Sequence, residues 1–144
     1  MTGPDSPHLA ADAVSETFAA AEAAARTVAD HLGRHTYRWT TERDLQRGIG
    51  AVLAEGFEHC RAEAAISAKD RPDFLVYAAG CTVAVEVKVR GSFALILRQL
   101  GRYAQHDRVD ALVLAAGRRT LLPGMPTTLL GKPVISVLTR APLR

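Results

Sequence analysis

The spacing of apolar residues in the first part of the chain predicts two helices. Over residues 11–32, which are rich in alanine, apolar side chains recur at alternating steps of four and three and form a narrow packing seam: Val14, Phe18, Ala21, Ala25, Val28 and Leu32. Gly33 ends this helix. A second helix is predicted over residues 42–55, because Thr41 and Asp44 have the spacing of a capping box and one face is apolar, with Leu45, Ile49, Val52 and Leu53.

The rest of the chain alternates between strand and helix patterns. A weak alternation over residues 59–67 predicts a strand, and clearer strands are predicted over residues 73–78 and 82–89. After Gly91 and Ser92, helical spacing returns over residues 93–106, and buried strands are predicted over residues 109–117 and 133–140. Three successive antiparallel strands followed by a helical crossover predict an α/β layer fold, in which helices flank a mixed central sheet.

Length and composition favour one domain with a real core, since the chain has 144 residues and is 48% apolar. We expect a mobile lead-in over residues 1–10, an accessory helix within residues 11–36 and the main domain over residues 37–144. Whether the accessory helix packs on its own domain or joins two copies in a homodimer stays open. The start of the chain does not resemble a signal peptide, and no run reaches the ~18 apolar residues of a membrane span, so we expect a soluble cytoplasmic protein.

Charge is distributed unevenly between the two halves of the chain. Residues 1–70 hold 7 Lys and Arg against 11 Asp and Glu, whereas residues 71–144 hold 11 against 4. A basic surface is permissive for binding a polyanion such as nucleic acid, so the second half is the candidate for that surface.

The predicted hairpin brings two acids together. If its turn centres on Ala79 and Gly80, Tyr77 faces Thr82 and Asp73 faces Glu86. Side chains that face each other on an antiparallel pair have Cβ atoms about 4.5–5.5 Å apart, and like charges at that distance repel. The hairpin therefore needs a group that neutralises its acid pair.

Strand alternation places a lysine on the same face as the acids. Val83, Val85, Val87 and Val89 point to one side, which we expect to be the core, while Thr82, Ala84, Glu86 and Lys88 point to the other. A divalent cation held by two carboxylates, a backbone carbonyl and water would relieve the repulsion, and Lys88 could orient the attacking water. The alternative is a solvated Glu–Lys face on an amphipathic strand.

Two further positions could contribute to the same site. Glu42 precedes Leu45 by three residues and therefore falls on the buried face of its helix, although an acid in a first helical turn can also serve the helix dipole. Gln99 and Tyr103 have i,i+4 spacing at the rim of the third helix's buried stripe, where they could reach substrate or metal-bound water, or could pack at the edge of the core.

These motifs together resemble the PD-(D/E)XK nuclease superfamily. Pro72-Asp73 and Glu86-Val87-Lys88 match its two halves, and the surrounding segments over residues 40–140 are similar to small Holliday-junction-resolvase-like and restriction-type members. The resemblance implies a restriction-endonuclease-like core of helix, three strands, helix and strand, with the helix over residues 11–33 outside it. It also implies Asp73, Glu86 and the Val87 carbonyl as ligands of Mg²⁺ (or Mn²⁺ as a substitute), Lys88 as the catalytic lysine, Glu42 as the acid of the first core helix and Gln99 as the helix glutamine.

The function expected from this resemblance is metal-dependent hydrolysis of DNA phosphodiester bonds. The phosphates would then be contacted by arginines of the basic half, namely Arg90, Arg98, Arg102, Arg118 and Arg119. One alternative is a module that keeps the fold and binds nucleic acid or assembles with a partner without turnover. Another is a zinc site using His31 and His35 with His59 or Cys60; otherwise the two cysteines, Cys60 and Cys81, have no metal-ligand spacing.

Overall fold

The computed structural model describes residues 7–143, with side chains described from residue 13. The elements follow one another as α1 (Pro7–Gly33), α2 (Glu42–Gly56), β1 (His59–Ala62), β2 (Phe74–Ala78), β3 (Cys81–Lys88), α3 (Phe93–Ala104), β4 (Ala111–Ala116), a 3-10 turn (Arg119–Leu121), β5 (Thr128–Leu129) and β6 (Lys132–Leu138). No helix in this part of the chain has both the length and the apolar character needed to cross a bilayer.

The strands form a mixed sheet with the order β1-β2-β3-β4-β6-β5. β1, β2 and β3 are antiparallel neighbours, whereas β4 runs parallel to both β3 and β6. α3 is the crossover between the parallel strands β3 and β4. The prediction of an α/β fold with a mixed sheet flanked by helices is therefore confirmed.

Helices cover both faces of the sheet. On one face, α1 and α2 bury the valines of β3, which are Val83, Val85 and Val87, together with Val89 just beyond it. On the other face, α3 packs Ile96, Leu100 and Tyr103 against Leu75, Ala84, Leu112 and Leu114 of the sheet. Glu86 and Lys88 of β3 therefore lie on the face of the sheet that α3 covers.

The first helix contributes to the domain core. Ala21, Ala25, Val28 and Leu32 are buried, and α1 contacts α2 and the strands β2, β3, β4 and β6. Val14 was predicted to belong to the same seam, but it is 70% exposed, so this part of the prediction is wrong. Residues 7–10 of the predicted lead-in belong to α1, and residues 1–6 lie outside the described residues.

Most predicted element ends lie within two residues of the observed ones. The main exception is the first strand, predicted over residues 59–67, which ends at Ala62. Glu63 has a φ of 50°, and Ile66 and Ser67 form a turn that closes on the Asp70 carbonyl, so the pairing with β2 cannot continue. The short strand β5 and the 3-10 turn were not predicted.

Candidate functional site

The β2–β3 hairpin has the predicted register. Ala79 and Gly80 have φ values of 50° and 78°, the left-handed backbone of a two-residue turn that matches the twist of its strands. Tyr77 pairs with Thr82, and the register continues to Phe74 opposite Val85. Because the next pair in this register is residue 73 with residue 86, the turn sets Asp73 beside Glu86.

Backbone hydrogen bonds fix the two carboxylates relative to each other. The Asp73 backbone N–H donates to Glu86 Oε1 at 3.2 Å, and the Val87 backbone N–H donates to Asp73 Oδ2 at 2.7 Å. Each acid is therefore held by the backbone of the opposite strand or its extension. The pair is a preformed unit of the hairpin and does not depend on flexible side chains to assemble.

Burial makes the ionised form of this pair unfavourable. Glu86 is only 3% exposed, and its burial, together with the nearby Asp73 carboxylate, raises its pKa to about 8. Burial also raises the pKa of Asp73 above its ordinary value. Lys88 counters part of this effect, since its Nζ lies 3.7 Å from Glu86 Oε2 and lowers the pKa of Glu86. The charge of the acid pair is thus only partly balanced within the protein.

Glu42 brings a third carboxylate to the ends of the strands. It is the first residue of α2, where Thr41 and Asp44 form the predicted capping box. Its Oε1 accepts a hydrogen bond from the Val89 backbone N–H at 3.1 Å, and its charge contributes to the raised pKa of Asp73. The prediction that Glu42 falls on the inward face of its helix agrees with this contact.

Tyr103 connects the acid pair to α3. Its hydroxyl lies 3.3 Å from both carboxylate oxygens of Glu86 and 3.3 Å from the Arg71 carbonyl oxygen. Gln99 Nε2 donates to the same hydroxyl at 3.0 Å, so Gln99 reaches Glu86 only through the tyrosine. Sequence reasoning noted Tyr103 at the helix rim but did not assign it as a direct partner of Glu86; its i,i+4 spacing from Gln99 was the available signal.

The predicted phosphate-binding arginines have different surroundings. Arg90, Arg98 and Arg119 are exposed. Arg118 is also exposed, and its guanidinium carbon lies 5.8 Å from the centre of the Trp39 ring. Arg102 is engaged within the protein, because its Nε lies 3.1 Å from Asp70 Oδ1.

The Asp70 carboxylate holds together the loop before β2 and the end of α3. Besides Arg102, it contacts His106, whose Nε2 lies 2.9 Å from Oδ2, and this hydrogen bond lowers the pKa of Asp70. A DNA phosphate would have to compete with Asp70 for Arg102. Arg98, one turn earlier on the same helix, has no such competitor among the ion pairs of the described residues.

The donor atoms of the acid pair suit a hard divalent cation. The N–H and C=O of a strand residue point to the same side, so the Val87 carbonyl faces the side on which its N–H meets Asp73. Carboxylate and carbonyl oxygens are the donors that Mg²⁺ and Mn²⁺ prefer, and Mg²⁺ keeps several waters. Between residues 13 and 143, where side chains are described, no three or more His, Cys, Asp or Glu side chains form a group that could hold a metal ion, so waters would complete the shell.

The histidines considered for zinc bind backbone atoms instead. His31 Nε2 lies 2.9 Å from the Val52 carbonyl oxygen, and His35 Nδ1 lies 2.9 Å from the His31 carbonyl oxygen. The zinc alternative therefore does not form in the described part of the chain.

No protein-family model, curated protein or solved structure matches the sequence or the fold of this chain. The assignment of the site depends on its own residues and geometry.

Proposed function

We propose that this protein is a Mg²⁺-dependent nuclease of the PD-(D/E)XK type that hydrolyses DNA phosphodiester bonds. The observation that carries the proposal is the pair formed by the buried Glu86 and the half-buried Asp73, each held by a backbone N–H donor, with Lys88 at its rim. A buried carboxylate beside a second acid costs stability in a metal-free protein, and apolar side chains would pack there at lower cost. A bound cation gives the pair a physical reason to be present.

The element order supports the finer assignment of the fold. α2, β1, β2, β3, α3 and β4 follow one another as the helix, three strands, helix and strand of a restriction-endonuclease-like core. α1 would then be an addition to that core that covers one face of the sheet. We also propose DNA as the partner and the cytoplasm as the location.

Each residue of the site has a distinct role in this proposal. Asp73, Glu86 and the Val87 carbonyl would hold the cation, which when bound would polarise a phosphoryl oxygen and lower the pKa of a coordinated water. Tyr103 positions Glu86 through its hydroxyl, and Gln99 holds the tyrosine in place. Tyr103 and Gln99 are positioning residues in this proposal, because only the tyrosine hydroxyl contacts Glu86 and Gln99 acts through it.

Lys88 and Glu42 lie nearer the surface. The Lys88 side chain is 21% exposed, so its ammonium can meet both Glu86 and a phosphate or water above the pair. There it would orient the attacking water and balance charge that develops in the transition state. Glu42 accepts the Val89 N–H with Oε1, and its other carboxylate oxygen would accept hydrogen bonds from waters around the cation. Exposed arginines, among them Arg90, Arg98 and Arg119, would contact phosphates.

Incubation of the purified protein with labelled linear, nicked, branched and single-stranded DNA tests this proposal. Cleavage is expected with Mg²⁺ or Mn²⁺ and not with EDTA, and Asp73→Ala should abolish it. Asp107→Ala is the matched control, because it removes an exposed aspartate from the same basic half of the chain. DNA binding without cleavage of any of these substrates would instead support a nucleic-acid-binding module.

A further inference from the structure

Trp39 lies at the carboxyl ends of β3 and β4, on the face of the sheet that α1 and α2 cover, close to the strand end that carries Lys88. A Cβ atom on Gly117, which follows β4, would come within 3.0 Å of Trp39 Cζ2 and 2.9 Å of Val89 Cγ1. The Gly117 backbone N–H donates to the Lys88 carbonyl oxygen at 2.8 Å. The indole therefore contacts the same strand ends that carry Lys88 and bind Glu42. The close approach is possible because residue 117 has no side chain.

The surroundings of this ring are concave and basic. Trp39 is half-buried and lines an open groove of about 470 Å³ with Arg38, Gly117, Ala141 and Pro142. Arg38 and Arg118 are exposed, and the Arg118 guanidinium carbon lies over the ring, 5.8 Å from its centre. Within the part of the chain whose side chains are described, neither arginine has a carboxylate within 4.0 Å. The groove thus offers an aromatic face and unbalanced positive charge.

An aromatic ring in a groove that also carries two arginines matches the chemistry of an unpaired nucleotide. Single-stranded nucleic acid is bound by basic grooves that follow its phosphates and by aromatic rings on which its bases stack. In an intact duplex the faces of the bases are covered by their neighbours, so a side chain at the groove can reach only phosphates and base edges. Charge complementarity and ring accessibility therefore favour an unpaired strand over a closed duplex.

We propose that Trp39 stacks on an unpaired base of the DNA substrate, while Arg38 and Arg118 contact the flanking phosphates. This inference rests on the proposed nuclease function and narrows its substrate class to single-stranded DNA or branched DNA with unpaired bases beside the cleaved bond. Trp39 is a specificity-determining residue in this account, since the acid pair and Lys88 lie on the neighbouring strand end and carry out the reaction.

Intrinsic fluorescence tests the stacking directly, because Trp39 is the only tryptophan in the chain. The protein is titrated in EDTA, where no cleavage is expected, with a thymine oligonucleotide, with an abasic oligonucleotide of equal length, and with a duplex of equal length. Stacking predicts strong quenching by the thymine strand, little by the duplex and little by the abasic strand even where it binds. Equal quenching by thymine and abasic strands, or none by either, overturns the proposal.

Substitution gives a second, independent readout. Trp39→Ala should weaken binding of the thymine strand by about 5-fold to 150-fold, the range measured for loss of one stacked base, and should affect the duplex far less. Tyr77→Ala is the matched control, because it removes a 38% exposed ring at the hairpin end of the sheet. If Trp39→Ala weakens strand and duplex binding equally, or if Tyr77→Ala has the same effect, the stacking role is wrong. Should Trp39→Ala fail to fold, the titrations of the unmodified protein decide the question.

The two proposals fail in different ways. Mg²⁺-dependent cleavage without base-dependent quenching leaves the nuclease assignment intact and overturns the role of Trp39. Base-dependent quenching without cleavage of any substrate supports the role of Trp39 in binding and contradicts the nuclease assignment. Cleavage that prefers unpaired strands, and loses that preference in Trp39→Ala, supports both.

Discussion

Replacing Glu86 with glutamine should make the metal-free protein more stable at neutral pH. Glutamine has the same shape and keeps an acceptor for the Asp73 N–H and the Tyr103 hydroxyl, so the packing of the site is preserved. It removes a carboxylate that is 3% exposed and lies beside a second acid. The substitution therefore isolates the free energy of ionising this group within the fold.

The pH window follows from the raised pKa of Glu86, which moves from its ordinary value of 4.5 to about 8 in the folded state. Between these values the folded protein holds a proton that the unfolded chain has released, so stability falls as pH rises and the loss is complete above pH 8. The loss amounts to roughly 3 kcal/mol by pH 7 and at most about 5 kcal/mol above pH 8. The attraction between Lys88 and Glu86 is already included in these figures, because it contributes to the pKa of Glu86.

Urea unfolding in EDTA at several values between pH 5 and pH 8, followed by Trp39 fluorescence, measures this difference. Glu86→Gln should gain stability relative to the parental protein as pH rises, by a few kcal/mol across the window. Glu55→Gln removes an exposed carboxylate of α2 and should follow the parental curve. A stability difference between Glu86→Gln and the parental protein that stays constant with pH would refute the reasoning.

Three further predictions concern the cation, the lysine and the backbone. Calorimetric titration should show Mg²⁺ affinity rising with pH up to about 8, because the cation displaces the proton held by Glu86, and an affinity independent of pH would contradict this. Single-turnover cleavage and equilibrium DNA binding in Ca²⁺ should separate two kinds of residue. Lys88→Ala should slow cleavage by about 10²-fold to 10⁴-fold with little loss of DNA affinity, whereas Arg98→Ala should weaken binding and lower its salt dependence by about one counterion. If Lys88→Ala instead lost affinity and cleaved at the parental rate, Lys88 would be a phosphate contact. Gly117→Ala should displace Trp39, because the added Cβ would lie 3.0 Å from the ring, and should lower the free energy of unfolding by about 1–3 kcal/mol. The Cβ added by Gly101→Ala would meet no atom within 4 Å, so this control should be neutral or stabilising in urea unfolding.

The parts of the site that depend on local chemistry could be predicted from the sequence. The two-residue turn at Ala79 and Gly80 determines the pairing of the hairpin, and this alone places Asp73 beside Glu86. Strand alternation then determines that Lys88 shares a face with Glu86, and the capping box fixes where α2 begins and hence where Glu42 points. Each of these inferences needs only a few consecutive residues, whose geometry is nearly the same in any fold.

The parts that depend on how elements dock could not be predicted. Tyr103 meets Glu86 across 17 positions of sequence because α3 crosses the sheet at a particular angle, which periodicity does not specify. The contact of Trp39 with Gly117 depends on two loops meeting at the strand ends. The engagement of Arg102 by Asp70 depends on the turn before β2, of which Ile66 and Ser67 were predicted as strand.

Single-turnover cleavage by Asp73→Asn, set beside DNA binding in Ca²⁺, tests the central claim most directly. Asparagine keeps an oxygen to accept the Val87 N–H bond but lacks the charge that would hold a cation. The account predicts that DNA binding and folding are retained while Mg²⁺-dependent cleavage falls below detection, and that Asp107→Asn cleaves at the parental rate. Parental cleavage by Asp73→Asn, or cleavage by the parental protein that persists in EDTA, would contradict it.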